Sequence, residues 1–203
     1  FPEKGDMNNL TLDFDDVYRG YGSTCRLGRF LAGAALQIYD VVRYEDAPKL
    51  TRAQTTVRVP ANVPTPDQLP LARKYAELHN ADRDDLIPYT GMQLTTVVAE
   101  AGRMVRLEHG PEFFEMTLSG VRVGPVALIG LPGEPFTGIG RGLKEAEGWT
   151  LVLPMCLTNG CEGYFPSKEA YAAGGYESRS SVFAPNVSDK IVEGSKALLE
   201  ELK

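Results

Sequence analysis

A glutamate stands at the centre of a glycine- and proline-rich turn that follows a short apolar run. The segment GLPGEPFTGIGRG covers residues 130–142, and Glu134 lies between a Pro-Gly pair and another proline. Nucleotide-loop spacing is absent, because Leu143 replaces the third glycine of a dinucleotide fingerprint and no Gly-Lys-Ser/Thr occurs. Since proline fixes φ and restricts its neighbour, the turn is a rigid mount for one carboxylate. Glu134 is therefore either a metal ligand or base, or a carboxylate that caps the N-terminus of the helix beginning near Phe136 and interacts with its dipole.

A second unusual loop follows the next predicted strand, and it carries three tyrosines. It reads TNGCEGYFPSKEAYAAGGYESRSS over residues 158–181. Because loops at one sheet edge collect ligand groups, adjacent strands would bring Glu134 and Tyr164 together. Tyr164 is either a core tyrosine or a ligand whose phenolate form a cation favours. Tyr171 is predicted to pack its ring from a short helix, whereas the Tyr176 hydroxyl, after a Gly-Gly pair, can donate to a developing oxyanion.

The elements that must position these loops alternate irregularly between helix and strand. Hydrophobic periodicity predicts helices over about 23–42, 65–78, 92–107 and 187–202, with short helices after Glu134 and over 166–171. Strands are predicted over 53–59, 114–123 with a break near Gly120, 126–131 and 151–155. This pattern indicates an α/β fold, with α+β as the alternative, in which helices flank a mixed β-sheet. We expect residues 1–203 to form one domain, since the chain can bury a sizeable core.

Composition excludes several classes of partner. A net charge of −6 and a pI near 5.1 argue against nucleic acid, and no apolar run is long enough to span a membrane. Three cysteines (Cys25, Cys156 and Cys161) give neither a disulfide framework nor zinc-knuckle spacing. We expect buried free thiols in a reducing compartment, and hence a cytoplasmic protein. The chain opens with Phe1 and lacks a visible signal peptide, which we interpret as a trimmed product or part of a longer polypeptide, with export of the parent left open.

Taken in order, the two loops resemble the neutral (non-lysosomal) ceramidase family, especially its shorter bacterial relatives. LPGEPFTGIGRGLKEA is followed by LTNGCEGYFPSKEAYAAGGYESRSS, and the similarity is specific over about residues 121–181. In that family one zinc ion is held by two histidines from the upstream half, the glutamate of the Pro-Gly-Glu motif and a later tyrosine. The resemblance implies that Glu134 and Tyr164 are metal ligands. It also implies that Tyr176 contacts substrate.

This chain departs from the family at three points. The family's essential serine lies in a Gly-Asp-x-Ser-Pro-Asn motif, where residues 5–9 read Gly-Asp-Met-Asn-Asn and Asn8 replaces the serine. The histidines are His79 and His109; both lie outside the family's histidine motif, and we expect ordinary surface or capping residues. The chain also starts at the family's mid-domain motif. It therefore resembles the second half of a catalytic domain.

The resemblance implies a zinc-dependent hydrolase-like domain that requires an upstream half, in the same polypeptide or a partner chain. Metal-activated water would attack an amide or ester-like carbonyl of a small-molecule substrate, and Asn8 would orient water or substrate. The alternative is a non-catalytic ligand-binding or interaction module, because Asn8 replaces the family's serine and the family's two histidine ligands are absent from this sequence. In isolation the sheet should present an unpaired edge or apolar face where the missing half docks, which favours homo-oligomers.

Overall fold

The computed structural model describes residues 21–203 in two compact units, and each is described by itself. The first unit ends at Lys49 and contains helix α1 (Tyr21–Tyr39). The second extends from Leu50 to Lys203 and contains the two special loops. Asn8 lies outside the described residues. None of the described helices is long and apolar enough to cross a membrane.

The second unit contains a mixed set of helices and strands, as the sequence predicts. They are β1 (Leu50–Pro60), α2 (Leu69–Asn80), a 3₁₀ turn (Asp84–Leu86), α3 (Gly91–Leu107), β2 (Phe113–Val123), β3 (Val126–Gly130), β4 (Glu134–Pro135), α4 (Thr137–Lys144), β5 (Leu151–Met155), β6 (Tyr164–Phe165), α5 (Lys168–Ala173), α6 (Tyr176–Ser180) and α7 (Val187–Glu201). Helix α2 begins later than predicted. The Thr65 N–H donates to Gln68 Oε1 at 2.9 Å, so these residues form a turn ahead of the helix.

The main sheet has the strand order β1-β2-β3-β5. Strands β1, β2 and β3 are antiparallel, whereas β3 and β5 are parallel neighbours that end together at Gly130 and Met155. Helices α4 and α7 pack against one face. Side chains that alternate along the strands join these helices in the core, which includes Val59, Leu118, Ile129, Leu143, Val152, Ile191 and Leu198. The predicted α/β fold with a mixed, helix-flanked sheet is thus confirmed.

The predicted break at Gly120 is wrong. Strand β2 pairs with β1 along its whole length, and Gly120 lies opposite Ala53 and Ile129. A Cβ at Gly120 would lie 2.7 Å from Cδ1 of Leu202 and 3.1 Å from Cγ of Leu198. The glycine therefore makes room for the end of α7 instead of ending the strand.

The other face of the sheet carries apolar side chains that no helix of this unit buries. Eight residues, which we call the apolar sheet face, are exposed or half-buried: Leu50, Val121, Val123, Val126, Leu128, Leu151, Leu153 and Met155. The sequence prediction of an apolar face on this sheet is consistent with that arrangement.

Residues 61–112 connect β1 to β2 and form a lobe with its own small core. That core consists of Ala72, Tyr75, Ile87, Val97, Ala101 and Met104, contributed by α2, α3 and the segment between them. Buried Arg103 donates to the carbonyl oxygens of Asn62 and Arg179, at 2.5 and 2.9 Å. Burial lowers the pKa of this guanidinium. Arg179 also donates to Glu100, with its Nε 2.9 Å from Oε2, so α6 is fixed to α3 by two arginines.

Candidate functional site

The turn around Glu134 and the loop before Tyr164 are joined through their backbones. Both leave the paired ends of β3 and β5, so they begin side by side. Five backbone hydrogen bonds connect them: Leu131 N to Met155 O (2.8 Å), Thr158 N to Leu131 O (2.9 Å), Leu157 N to Gly133 O (2.9 Å), Glu162 N to Pro132 O (2.8 Å) and Glu134 N to Gly163 O (2.8 Å). Because donors come from both segments, the two loops form one hydrogen-bonded unit.

Glycines allow this close approach of two backbones. A Cβ at Gly133 would lie 2.5 Å from the carbonyl oxygen of Gly163 and 2.6 Å from the Phe165 ring. One at Gly160 would lie 2.8 Å from Cβ of Pro132. Gly163 itself has φ of +85°, which disfavours any other residue. The glycine-rich character of the two motifs therefore serves loop packing.

Glu134 and Tyr164 are direct neighbours in the structure. They are register partners in the two-residue parallel ladder of β4 and β6. Register partners on neighbouring strands lie about 4.8 Å apart, with side chains on the same face. Both are half-buried. The predicted proximity of these two residues at the ends of adjacent strands is thus observed, whatever role each plays.

Tyr176 lies against Tyr164 and extends the same cluster. The two rings pack edge to face, with centroids 6.0 Å apart and an interplanar angle of 76°. Tyr176 is the first residue of α6, and Gly175 caps the helix in extended conformation. Glu134, Tyr164 and Tyr176 therefore stand together, although they come from three separate elements.

The surroundings of Tyr164 keep its hydroxyl protonated. Burial is the largest cause that raises its pKa above 10, and the carboxylate of Glu134 raises it further, followed by Tyr176, Glu177 and Cys161. Glu177 and Cys161 are site neighbours that sequence reasoning missed. The signal was present, since Glu177 directly follows Tyr176 and Cys161 stands three residues before Tyr164.

The cluster has a donor set that suits part of a cation site. Glu134 offers carboxylate oxygens, and a nearby cation would offset the effects that keep Tyr164 neutral. Within residues 21–203, no group of three or more His, Cys, Asp or Glu side chains is arranged to hold a metal. Among the described residues, Glu134 and Tyr164 could therefore supply at most part of the ligand set of a metal ion.

The two histidines occupy exposed positions, as the sequence predicts. His79 Nδ1 lies 2.9 Å from Oδ1 of Asp84, which follows α2. His109 Nε2 lies 3.7 Å from Oε1 of Glu108, and its side chain is 90% exposed. Both are ordinary surface residues.

The prediction of buried cysteines is wrong, although the thiols are free. Cys25, Cys156 and Cys161 are all exposed. Cys156 and Cys161 lie in the loop between β5 and β6, which meets the Glu134 turn through backbone groups. Its side chains are therefore left outside the core.

Tyr171 packs against the main core, as the sequence predicts. Its ring contacts the core cluster, and its hydroxyl donates to the carbonyl oxygen of Phe183 at 2.5 Å while lying 3.1 Å from Ser181 Oγ. Ser181 in turn donates to the carbonyl oxygen of Tyr164 at 3.0 Å. Tyr171 thus supports the strand that carries Tyr164. It is not part of the cluster itself.

Burial raises the pKa of Tyr171 to about 12, which predicts a loss of stability at alkaline pH. The folded pKa exceeds the unfolded value near 10, so the stabilisation is complete below pH 10 and is lost as pH rises towards 12. The two-unit difference corresponds to about 2 to 3 kcal/mol. Urea unfolding at pH 9.5 and 11.5 should show a larger decrease in wild type than in Tyr171→Phe. Equal decreases would contradict the assignment.

The fold of this chain is similar to that of solved structures. The chain matches the crystal structure of a neutral ceramidase from Pseudomonas aeruginosa over 93% of its own length, with a TM-score of 0.53 and 19% identity. A ceramidase complexed with C2 gives the same coverage of this chain, TM-score and identity. The chain spans about a third of these structures, 34% and 36% of their length. No protein-family model matches the sequence, and neither does any curated protein. The likeness shows a ceramidase-like fold.

Proposed function

We propose that this chain forms part of a zinc-dependent hydrolase-like domain that cleaves an amide or ester-like bond in a small molecule. The pairing of Glu134 with Tyr164 in one parallel ladder, with Tyr176 packed against Tyr164, carries the proposal. The ceramidase-like fold supports it. An upstream half completes the ligand set, because catalytic zinc typically has three protein ligands.

Each residue has a distinct task in this proposal. Glu134 and Tyr164 would hold the zinc ion, which when bound would supply Lewis acidity for activating water and polarising the carbonyl. A bound cation would favour the phenolate of Tyr164, against burial and the Glu134 carboxylate, which both raise its pKa. The Tyr176 hydroxyl donates to the carbonyl oxygen as negative charge develops there. Asn8, where the ceramidase family has serine, orients water or substrate.

Tyr164→Phe tests the ligand role while keeping the ring that packs against Tyr176. If the phenol oxygen holds zinc, the intact protein should lose at least tenfold in zinc affinity. Tyr171→Phe is the control for lost support of the Tyr164 strand, because it removes a tyrosine hydroxyl that bonds to Phe183 and Ser181 and is not part of the cluster. Zinc is titrated against a chromophoric chelator. Wild-type affinity and activity in Tyr164→Phe would show that this residue is only a packed core tyrosine.

The 203-residue chain alone is expected to bind zinc weakly and to lack hydrolytic activity. Two oxygen ligands are too few for a catalytic zinc site, and both histidines are on the surface. Equilibrium titration of the purified chain measures this directly. Sub-micromolar zinc binding by a folded monomer would contradict the expectation and would require a histidine to reach the Glu134 turn.

The second candidate is a non-catalytic module that binds a ligand or partner without turnover. The sparse ligand set within residues 21–203 favours it, as does Asn8 in place of the family's serine. The metal content of the protein together with its upstream half separates the two. Stoichiometric zinc supports the hydrolase, whereas a folded, metal-free protein unaffected by chelator or added zinc supports the module.

A further inference from the structure

The apolar sheet face is arranged in rows that cross the sheet in register. One row runs across all four strands as Leu50, Val123, Val126 and Leu151. The next runs from Arg52 through Val121 and Leu128 to Leu153. Single exposed apolar residues are common on proteins, but a contiguous apolar surface of this kind marks an interaction site.

The charged groups beside the rows indicate what the covering surface must offer. Arg58 lies opposite Glu115 in register and stands 4.0 Å above the Phe113 ring. Arg52 lies opposite Val121, and none of its neighbours on this face of the described ladder carries a carboxylate. A layer that covers the rows must therefore combine an apolar centre with an acidic group near Arg52. A second copy of the same face would offer Glu115, which already faces Arg58.

We propose that the apolar sheet face is the docking surface for the upstream half of the same polypeptide, through an apolar layer with a carboxylate opposite Arg52. In the solved ceramidases that share this fold, about two thirds of the chain lies outside the matched region, since the match covers 34% and 36% of them. They show that this fold exists within a larger chain. Helices α4 and α7 already cover the other face.

The position of the face also relates it to the candidate site, a step that rests on the proposed function. The rows continue to Gly130 and Met155, the strand ends from which the Glu134 turn and the Tyr164 loop depart. A layer on this face therefore reaches the sheet edge at which Glu134 and Tyr164 lie. From there it can supply the ligands that a zinc site still needs.

Cysteine labelling tests the docking without any metal or activity readout, so its failure is distinguishable from failure of the proposed function. Leu153→Cys is introduced with the three native, exposed cysteines replaced by serine. Lys74→Cys, at an exposed position on α2, is the control. In the 203-residue chain, diluted until sedimentation shows a monomer, both sites should react with maleimide at rates within about threefold. In the polypeptide that includes the upstream half, the Leu153→Cys rate should fall at least tenfold and the control rate should not change.

A second labelling variant guards against a local folding defect in Leu153→Cys. Val121→Cys, on a nearby strand, should be protected in the same way.

A charge reversal tests the acidic contact. With the two halves supplied as separate chains, Arg52→Glu should weaken their association at least tenfold, whereas Lys74→Glu should leave it unchanged. Unprotected cysteines in the longer polypeptide, or a gene without preceding coding sequence, would overturn the proposal. So would a stable dimer of the 203-residue chain that protects Leu153→Cys by itself.

Discussion

Glu134→Gln is expected to lower the zinc affinity of the protein with its upstream half by about ten- to a hundredfold, the scale that changes around metal sites reach. The substitution keeps the shape of the side chain but removes the anionic oxygen that the proposal assigns to the metal. The loop should survive, because it is the Glu134 backbone N–H that bonds to Gly163, at 2.8 Å. Competition with a chromophoric chelator gives the dissociation constant.

Glu162→Gln is the matched control for that experiment. Glu162 lies in the adjoining loop, is exposed and also contributes a backbone N–H to the contact between the two segments, here to Pro132. Its neutralisation should leave zinc affinity unchanged. Equal affinities in Glu134→Gln, the control and wild type would remove Glu134 from the ligand set and leave it as a helix-terminal carboxylate.

Gly133→Ala should destabilise the second unit by about 2 to 3 kcal/mol, in the upper part of the range for overpacking. The added Cβ would lie 2.5 Å from the carbonyl oxygen of Gly163 and 2.6 Å from the ring of fully buried Phe165. Displacing both a backbone carbonyl and a buried ring costs free energy. The two loops must therefore separate, which weakens the hydrogen bond from Glu134 to Gly163.

Urea unfolding measures this cost, with Gly140→Ala as the control. Gly140 lies within α4, and a Cβ there meets only Pro154 Cγ at 3.7 Å, an ordinary contact. Alanine in a helix is favoured over glycine by about 1 kcal/mol, so this variant should be as stable as wild type or more so. If Gly133→Ala is equally stable, the close packing of the two loops does not limit stability.

Hydrophobic periodicity predicted the long helices and strands well, because an element that buries only one face repeats apolar residues at its own structural period. Strand β1 alternates between exposed positions and half-buried or buried ones, and helices α3 and α7 repeat apolar residues at helical spacing. Gly120 misled the strand prediction because a glycine that accommodates Leu202 looks the same in sequence as one that ends a strand. The distinction depends on a helix that is about 80 residues away in the chain.

The candidate site was predictable in composition but only partly in geometry. Glu134 and Tyr164 follow from loops that leave adjacent strand ends, and the structure places them together. Their two-residue ladder has no periodicity to detect, so neither β4 nor β6 was predicted. The exposure of Cys156 and Cys161 depends on which groups of the loop meet the Glu134 turn. A residue type alone does not specify that.

The lobe of residues 61–112 leaves and re-enters the sheet at register partners, Pro60 and Phe113. Because its ends are adjacent and its core is its own, it can open as a local unfolding unit while the β1–β2 pairing persists. Arg103 resists that opening, since its guanidinium reaches from α3 to the carbonyl of Arg179, three residues after Tyr176. We therefore expect opening of the lobe, measured as hydrogen exchange in α3, to loosen α6, the short helix that begins at Tyr176.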